Sequence, residues 1–303
     1  MLYCAKEEIN LKIEYLLSML SFGKHIAIVC NPLAGVGHAV ILANKIAAAL
    51  TERKIIHSLI LGNWPSNFER ITDIFIVGGD GTLNYFINKY RDIEIPFAIF
   101  NGGTGNDIHW LLYGKMNFEE QLDLVLTTKP RPIDAGKCND KYFMNGVGIG
   151  FEGAVAKSLT GKRKRPGKAS FMSAILKAIF FYRSKKYITK LNDAFCEKNH
   201  FLISVMNGQR TGGGFHIAPK ASINDGLLEI VLVDELHPLF RIHWLPVIEK
   251  GNHLTLSFVE YSRSKQIVIE SHFPIEAHLD GEYYESKRLA IEVLPAKYLA
   301  YYK

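Results

Sequence analysis

Residues 74–84 read Ile-Phe-Ile-Val-Gly-Gly-Asp-Gly-Thr-Leu-Asn. A run of β-branched and aromatic residues stops abruptly at three glycines set around one carboxylate. The run has the character of a buried strand, and glycine allows the sharp turn and close backbone approach that a ligand requires. Residues 83–90 carry the apolar spacing of a helix, which places Thr82 near a helix start. Backbone N–H groups there point outward with partial positive charge and suit phosphate. The arrangement recurs downstream, where the strand-like residues 96–100 run into Asn101-Gly-Gly-Thr-Gly-Asn-Asp107. Either turn alone also fits an ordinary strand-to-helix connection. Two of them, each with a hydroxyl and an aspartate, point to one nucleotide-phosphate site with a metal nearby.

The first half of the chain alternates strand and helix: strand-like 24–30, an Ala-rich helix at 40–50, strand-like 55–61, then the two glycine turns. That order predicts a parallel sheet with helices on both faces and a ligand crevice at the carboxyl ends of its strands. From about Ile133 onward short β-type runs predominate, at 142–147, 201–207, 227–234, 255–261, 266–270 and 275–280. They predict an antiparallel sandwich or barrel-like second domain. The expected fold class is α/β plus all-β: a Rossmann-like parallel-sheet domain over 1–132, then a β-sandwich over 133–288. Residues 289–303 have strand character.

The motifs carry a resemblance. Gly78, Gly79, Asp80, Gly81, Thr82 and Asn84 form a stretch that resembles the signature of the diacylglycerol kinase catalytic domain family, which includes sphingosine, ceramide and bacterial lipid kinases. NAD kinases share its first half. The second turn, Gly103 with Thr104, Gly105, Asn106 and Asp107, resembles the lipid kinase form, with Asn101-Gly102 where lipid kinases often carry a proline. Asn31 opens Asn-Pro-Leu-Ala-Gly-Val-Gly37, similar to the family's N-P-x-x-G turn. The resemblance implies ATP and Mg2+ as cofactors, with these turns around the nucleotide and residues 289–303 returning to the first domain. It implies Asp80, Asp107 and Asp134 around magnesium; Asp134 lies in Pro132-Ile-Asp-Ala-Gly136, and a turn or capping role is its alternative. His278-Leu-Asp-Gly-Glu-Tyr283 is similar to the family's D-G-E element, which implies Glu282 as general base and Asp280 as an orienting or second acidic group. An Asp-Gly hairpin turn is the plain alternative there. Ala218-Pro-Lys-Ala-Ser-Ile-Asn-Asp-Gly-Leu-Leu228 resembles a loop that in bacterial members holds a structural magnesium. That implies Ser222, Asp225 and Leu227 as ligands, with a metal-free loop equally open. Gly212-Gly-Gly214 favours close backbone approach.

At 303 residues the chain can build two domains with proper cores. Hydrophobic and charged fractions of 48% and 22% are those of a soluble globular protein. Cys4, Cys30, Cys138 and Cys196 are far apart and form no C-x-x-C pair, which argues against a zinc ribbon or disulfide scaffold and fits a reducing compartment. Near the N-terminus Lys6, Glu7, Glu8, Lys12 and Glu14 interrupt any signal-peptide core. Ile9, Ile13, Leu16, Leu17 and Leu20 share one helical face, so a short amphipathic helix packed on the domain is expected. No run approaches the roughly 18 uninterrupted apolar residues of a membrane span.

Two patterns are set aside. Gly148-Ile-Gly-Phe-Glu-Gly153 satisfies G-x-G-x-x-G but precedes a basic run instead of an acidic residue. Residues 161–169 look like a Walker loop but have the wrong spacing and lack its Ser/Thr. The basic run, Lys157, Lys162, Arg163, Lys164, Arg165 and Lys168, precedes an apolar segment at 171–182 that ends in Arg183, Lys185 and Lys186. Basic residues flanking an apolar helix suit docking on an anionic membrane. A solvated loop before a core helix is the alternative, and nucleic acid is the less favoured partner. The expected function is an ATP- and Mg-dependent lipid kinase of phospholipid metabolism. It would transfer the γ-phosphate to a hydroxyl of a membrane lipid such as diacylglycerol, at the cytoplasmic face of the membrane. The alternatives are an NAD kinase-like enzyme or a non-catalytic lipid- or nucleic-acid-binding protein. The acceptor and the oligomeric state, a homodimer included, stay open.

Overall fold

A computed structural model describes residues 23–160, 168–191 and 194–303. The amphipathic segment near the N-terminus and the basic cluster Lys162 to Arg165 lie outside the described residues.

The first unit is built on β1 (His25–Cys30), α1 (His38–Glu52), β2 (Ile56–Leu61), β3 (Asp73–Gly78), α2 (Asp80–Lys89), β4 (Phe97–Asn101), α3 (Asp107–Tyr113) and α4 (Phe118–Thr127). The four strands are parallel, in the order β4-β3-β1-β2. Ile26, Ile28, Phe75, Val77 and Phe97 are fully buried, as expected of parallel strands covered on both faces. Each such side chain contributes about 1.5–3 kcal/mol. On α1 the buried residues Ala39, Ala43, Ile46 and Leu50 fall at helical spacing, so one stripe faces the sheet. A capping box formed by Asn117 and Glu120 starts α4.

The second unit holds β5 (Arg131–Cys138), β6 (Lys141–Phe143), β7 (Gly146–Gly150), α5 (Phe151–Leu159), α6 (Lys168–Phe181), β8 (Lys185–Leu191), β9 (Ala194–Met206), β10 (Leu228–Asp234), α7 (Pro238–Glu249), β11 (Val259–Ser264), β12 (Gln266–Leu279) and β13 (Glu282–Ala300). Its strands are antiparallel, in the order β11-β10-β9-β7-β12-β13, with β5 on β13 and β8 bridging β9 and β12. Along β10, Ile230 and Leu232 enter one core while Val231 and Val233 enter another. Alternate side chains of a strand point to opposite faces, so both faces of this sheet are buried. The second face is covered by α5, α6 and α7, where Phe151, Val155, Ile175 and Ile179 pack on Phe201 and Leu202. This helical layer adds to the expected β architecture.

The end of β13 reaches the first unit: Ala300 pairs with Phe97 of β4, and Tyr298, Ala300 and Tyr301 join its core. Three strand expectations are corrected. Residues 142–147 are two strands, β6 and β7, broken at Met144–Asn145 because the N–H groups of Met144, Asn145 and Gly146 all donate to the Asp280 carboxylate. Residues 266–270 and 275–280 belong to one strand, β12, with a register shift between Glu270 and Ile275. The strand expected from Thr255 begins only at Val259.

Candidate active site

Three turns at the carboxyl ends of β1, β3 and β4 pack against one another. The Gly102 N–H donates to the Gly78 carbonyl at 2.9 Å. A Cβ added at Gly103 would sit 2.4 Å from the Gly79 Cα, so neither turn tolerates a side chain where they meet. Asn31 joins the group by donating its Nδ2 to the Thr82 hydroxyl at 3.2 Å. Asn106, in the left-handed region at φ 54°, holds the second turn closed by accepting the Gly103 N–H and donating to the Gly103 carbonyl. The starts of α2 and α3 are thereby brought side by side.

Asp80, the first residue of α2, reaches across to α3. Its two carboxylate oxygens accept the N–H groups of Asp107 (3.0 Å) and Ile108 (3.1 Å). Burial, with the neighbouring Asp107 charge adding to it, pushes the Asp80 carboxyl up to about 7 against those two donors. Asp107 accepts from Nε and Nη2 of Arg210, each at 3.0 Å, and from the Gly213 N–H at 2.8 Å. Burial still holds its carboxyl above the ordinary range, with the guanidinium opposing. The Arg210 guanidinium also lies 4.2 Å from the centre of the Trp110 ring. Arg210 had no signal of its own in the sequence. Its place just before Gly212-Gly-Gly214 was the available pointer, since that segment does approach the site.

Asp280 and Glu282 come from the β12–β13 hairpin. Asp280, at φ 50°, accepts four hydrogen bonds, from the N–H groups of Met144, Asn145 and Gly146 and from Asn84 Nδ2. Burial raises its carboxyl while those donors pull it down. Glu282 arrives over the first turn: a Cβ at Gly81 would lie 2.8 Å from its Oε1. Asn31, Gly79, Asp80, Gly81, Thr82, Thr104, Gly105, Asp107, Asp280 and Glu282 line one cleft of about 1560 Å3. The cleft continues into an apolar arm between α5, α6, α7 and β9, walled by Val155, Ile175, Ile179, Phe201, Trp244 and Leu245.

Several expected site residues support this cleft without lining it. Gly78 carries Thr82 on its open face, and Asn106 closes the second turn. Asn84 is spent on Asp280 (3.0 Å) and the Tyr142 carbonyl (3.2 Å), which ties α2 to the second unit. Asp134 also lies apart: its two oxygens accept the N–H groups of Gly226 and Ala296, each at 2.7 Å, the capping role that was its alternative. In the second loop Ser222 donates to Asn224, while Asp225 accepts the Leu227 N–H and pairs with Arg263. Asp225 is thus already paired with a positive charge, which a cation at this loop would have to displace. Asp80 does fit magnesium held through water. It is a hard oxygen donor, faces the cleft, and has a raised proton affinity that a cation would relieve.

The diacylglycerol kinase catalytic domain matches residues 25–138, and the YegS C-terminal NAD kinase beta sandwich-like domain matches residues 145–299. A chain from Chromohalobacter salexigens named as a probable YegS-like lipid kinase is 31% identical over 233 residues, 73% of each chain. A chain of the same name from Pectobacterium atrosepticum is 30% identical over 234 residues, 74% of this chain and 76% of the relative. The chain belongs to the YegS-like lipid kinases of the diacylglycerol kinase family. The fold agrees. A solved Bacillus anthracis diacylglycerol kinase structure superposes with a TM-score of 0.66 at 22% identity, covering 93% of this chain and 97% of that one. Membership makes the chain a kinase and implies ATP as phosphoryl donor.

Proposed function

We propose that this kinase transfers the γ-phosphate of ATP, with Mg2+, to a hydroxyl of a membrane lipid such as diacylglycerol. The carrying observation is the single cleft that joins the glycine turns, Asp80 and Glu282 to an apolar arm. Phosphoryl transfer asks the protein for positioned phosphates and a base for the attacking hydroxyl. The glycine turns at Gly79 to Gly81 and Gly103 to Gly105, which line the cleft, supply the first. Asp80 would hold magnesium through water, and the ion would spread charge from the phosphates. Glu282, over Gly81, takes the proton of the acceptor hydroxyl. Asp280 fixes the hairpin that carries it, and Asp107, held by Arg210, fixes the second turn. The apolar arm receives acyl chains. A soluble dinucleotide acceptor would leave that arm empty, which favours lipid over NAD.

A lipid acceptor has to be drawn from a bilayer. The helices that wall the apolar arm expose Phe180 and Phe181 on α6 and Leu239 and Phe240 on α7, beside the exposed Lys177 and Arg183. Apolar side chains among basic ones fit an anionic surface. The enzyme therefore works peripherally at the inner face of the membrane. The test follows labelled γ-phosphate from ATP and Mg2+ into mixed vesicles containing diacylglycerol and phosphatidylglycerol, with NAD in a parallel tube. Label in lipid is expected; label in NADP alone, or in neither, overturns the proposal.

A further inference from the structure

The hairpin that carries Glu282 is a two-residue turn, with Leu279 paired to Glu282 and both central residues left-handed, Asp280 at φ 50° and Gly281 at φ 87°. The Asp280 N–H donates to Gly146 on the neighbouring strand β7. The Gly281 N–H donates to Nδ1 of His278 at 3.2 Å. His278 is buried, and its Nε2 lies 3.1 Å from Glu152 Oε2 on α5. Ser204 on β9 donates to Glu152 Oε1 at 2.6 Å. An imidazole whose Nδ1 accepts a backbone N–H carries its proton on Nε2, and that nitrogen faces a carboxylate here. Donors and acceptors therefore match along the whole line from Ser204 through Glu152 and His278 to Gly281. Gly148 leaves the space for it. A Cβ there would fall 2.0 Å from Glu152 Oε2 and 2.4 Å from His278 Nε2.

We infer that His278 is a positioning residue for phosphoryl transfer. Its Nδ1 fixes the Asp280–Gly281 peptide, the plane before the one that joins Glu282, while Glu152 and Ser204 lock the imidazole in the tautomer that can accept. The inference rests on Glu282 acting as the base.

Two amide replacements separate the two ring nitrogens. In His278→Asn the side-chain oxygen reaches the place of Nδ1 and keeps an acceptor for Gly281, but the link to Glu152 is lost. In His278→Gln the amide reaches toward Glu152, and Gly281 loses its acceptor. The expected result, in the vesicle assay with diacylglycerol and phosphatidylglycerol, is that His278→Asn keeps kcat within about threefold. His278→Gln should lose at least about tenfold, toward the ~100-fold that misplacement by an ångström costs. The KM for ATP should stay unchanged in both, since a misplaced base acts on the transition state. Amide hydrogen exchange at Gly281, read on the whole protein, should quicken in His278→Gln and not in His278→Asn. Equal kcat and equal exchange in the two variants, both folded by circular dichroism, would overturn the inference. Full activity in a parallel Glu282→Gln sample would instead overturn the assignment of the base, leaving the exchange result to judge His278 alone.

Discussion

Asp80→Asn separates the charge of Asp80 from its shape, and the outcome reverses with pH. The folded protein holds the Asp80 proton up to about 7, whereas an unfolded aspartate releases it near 3.9. The folded state therefore binds the proton more tightly, and stability falls as pH rises from about 4 to about 7, then levels. At 1.36 kcal/mol per pKa unit, the raised pKa costs the fold about 4 kcal/mol at pH 8.5, where the folded carboxyl is ionised, and about 2 kcal/mol at pH 5.5, where it must take up a proton. Water reaching the carboxylate from the cleft lowers both, leaving a difference of about 1–2 kcal/mol between the two conditions. Asparagine removes that cost but sets its NH2 against one of the two N–H groups that Asp80 accepts, a loss of about 1–3 kcal/mol at either pH. Thermal melting without magnesium should thus favour the variant, relative to the parent, by about 2–3 °C more at pH 8.5 than at pH 5.5. Added Mg2+ alone should raise the parent's melting point at pH 8.5 and leave the variant's nearly unmoved, because a cation favours the charged carboxylate. Phosphate transfer by the variant should be nearly abolished. A melting difference that does not change with pH would refute the account of Asp80 as a half-buried group waiting for a cation. Full transfer activity would refute its role.

Glu282→Gln should lower lipid phosphorylation by about 10²–10⁴-fold without changing the affinity for ATP, checked by transfer assay and nucleotide titration. Arg210→Ala leaves Asp107 buried without its counter-ion and should destabilise the fold by about 3–5 kcal/mol in denaturant melts. Arg210→Lys should recover only part, since lysine cannot make the forked contact. Replacing Phe180 and Phe181 together by serine should release the protein from anionic vesicles in co-sedimentation while soluble ATP binding persists; retained vesicle binding would move the docking face elsewhere.

Elements set by local pattern were legible in the sequence. The buried strands β1, β3 and β4 and the glycine turns after them are written in consecutive residues, so their order implied a parallel sheet and a crevice at its edge. What failed was set by distant partners. Nothing near Met144 announces that its N–H will meet a carboxylate at Asp280, yet that contact splits one expected strand into two. Helix α7 was missed for a different reason. Residues 238–249 carry an interior proline at 246 and apolar residues all around, so no stripe marks a buried face. The apolar content of both faces of β10 was the available sign that helices must cover the second sheet.

The same division runs through the site. The glycine turns and the two acidic residues at their helix starts, which line the cleft, stand in consecutive stretches and were legible for that reason. The residues that set distances between elements are illegible from spacing. Asp107 needs Arg210, 103 positions away, and Asp134 needs Gly226 and Ala296. Asn84 shows why a motif residue need not be a ligand contact. It sits inside the signature stretch, yet it spends its amide on Asp280 and the Tyr142 carbonyl. That bond registers the hairpin bearing Glu282 against the helix that follows the first glycine turn. On the proposed mechanism the base has to stand at a fixed distance from that turn, so a residue on the turn's own helix that grips the hairpin would serve the chemistry without lining the cleft.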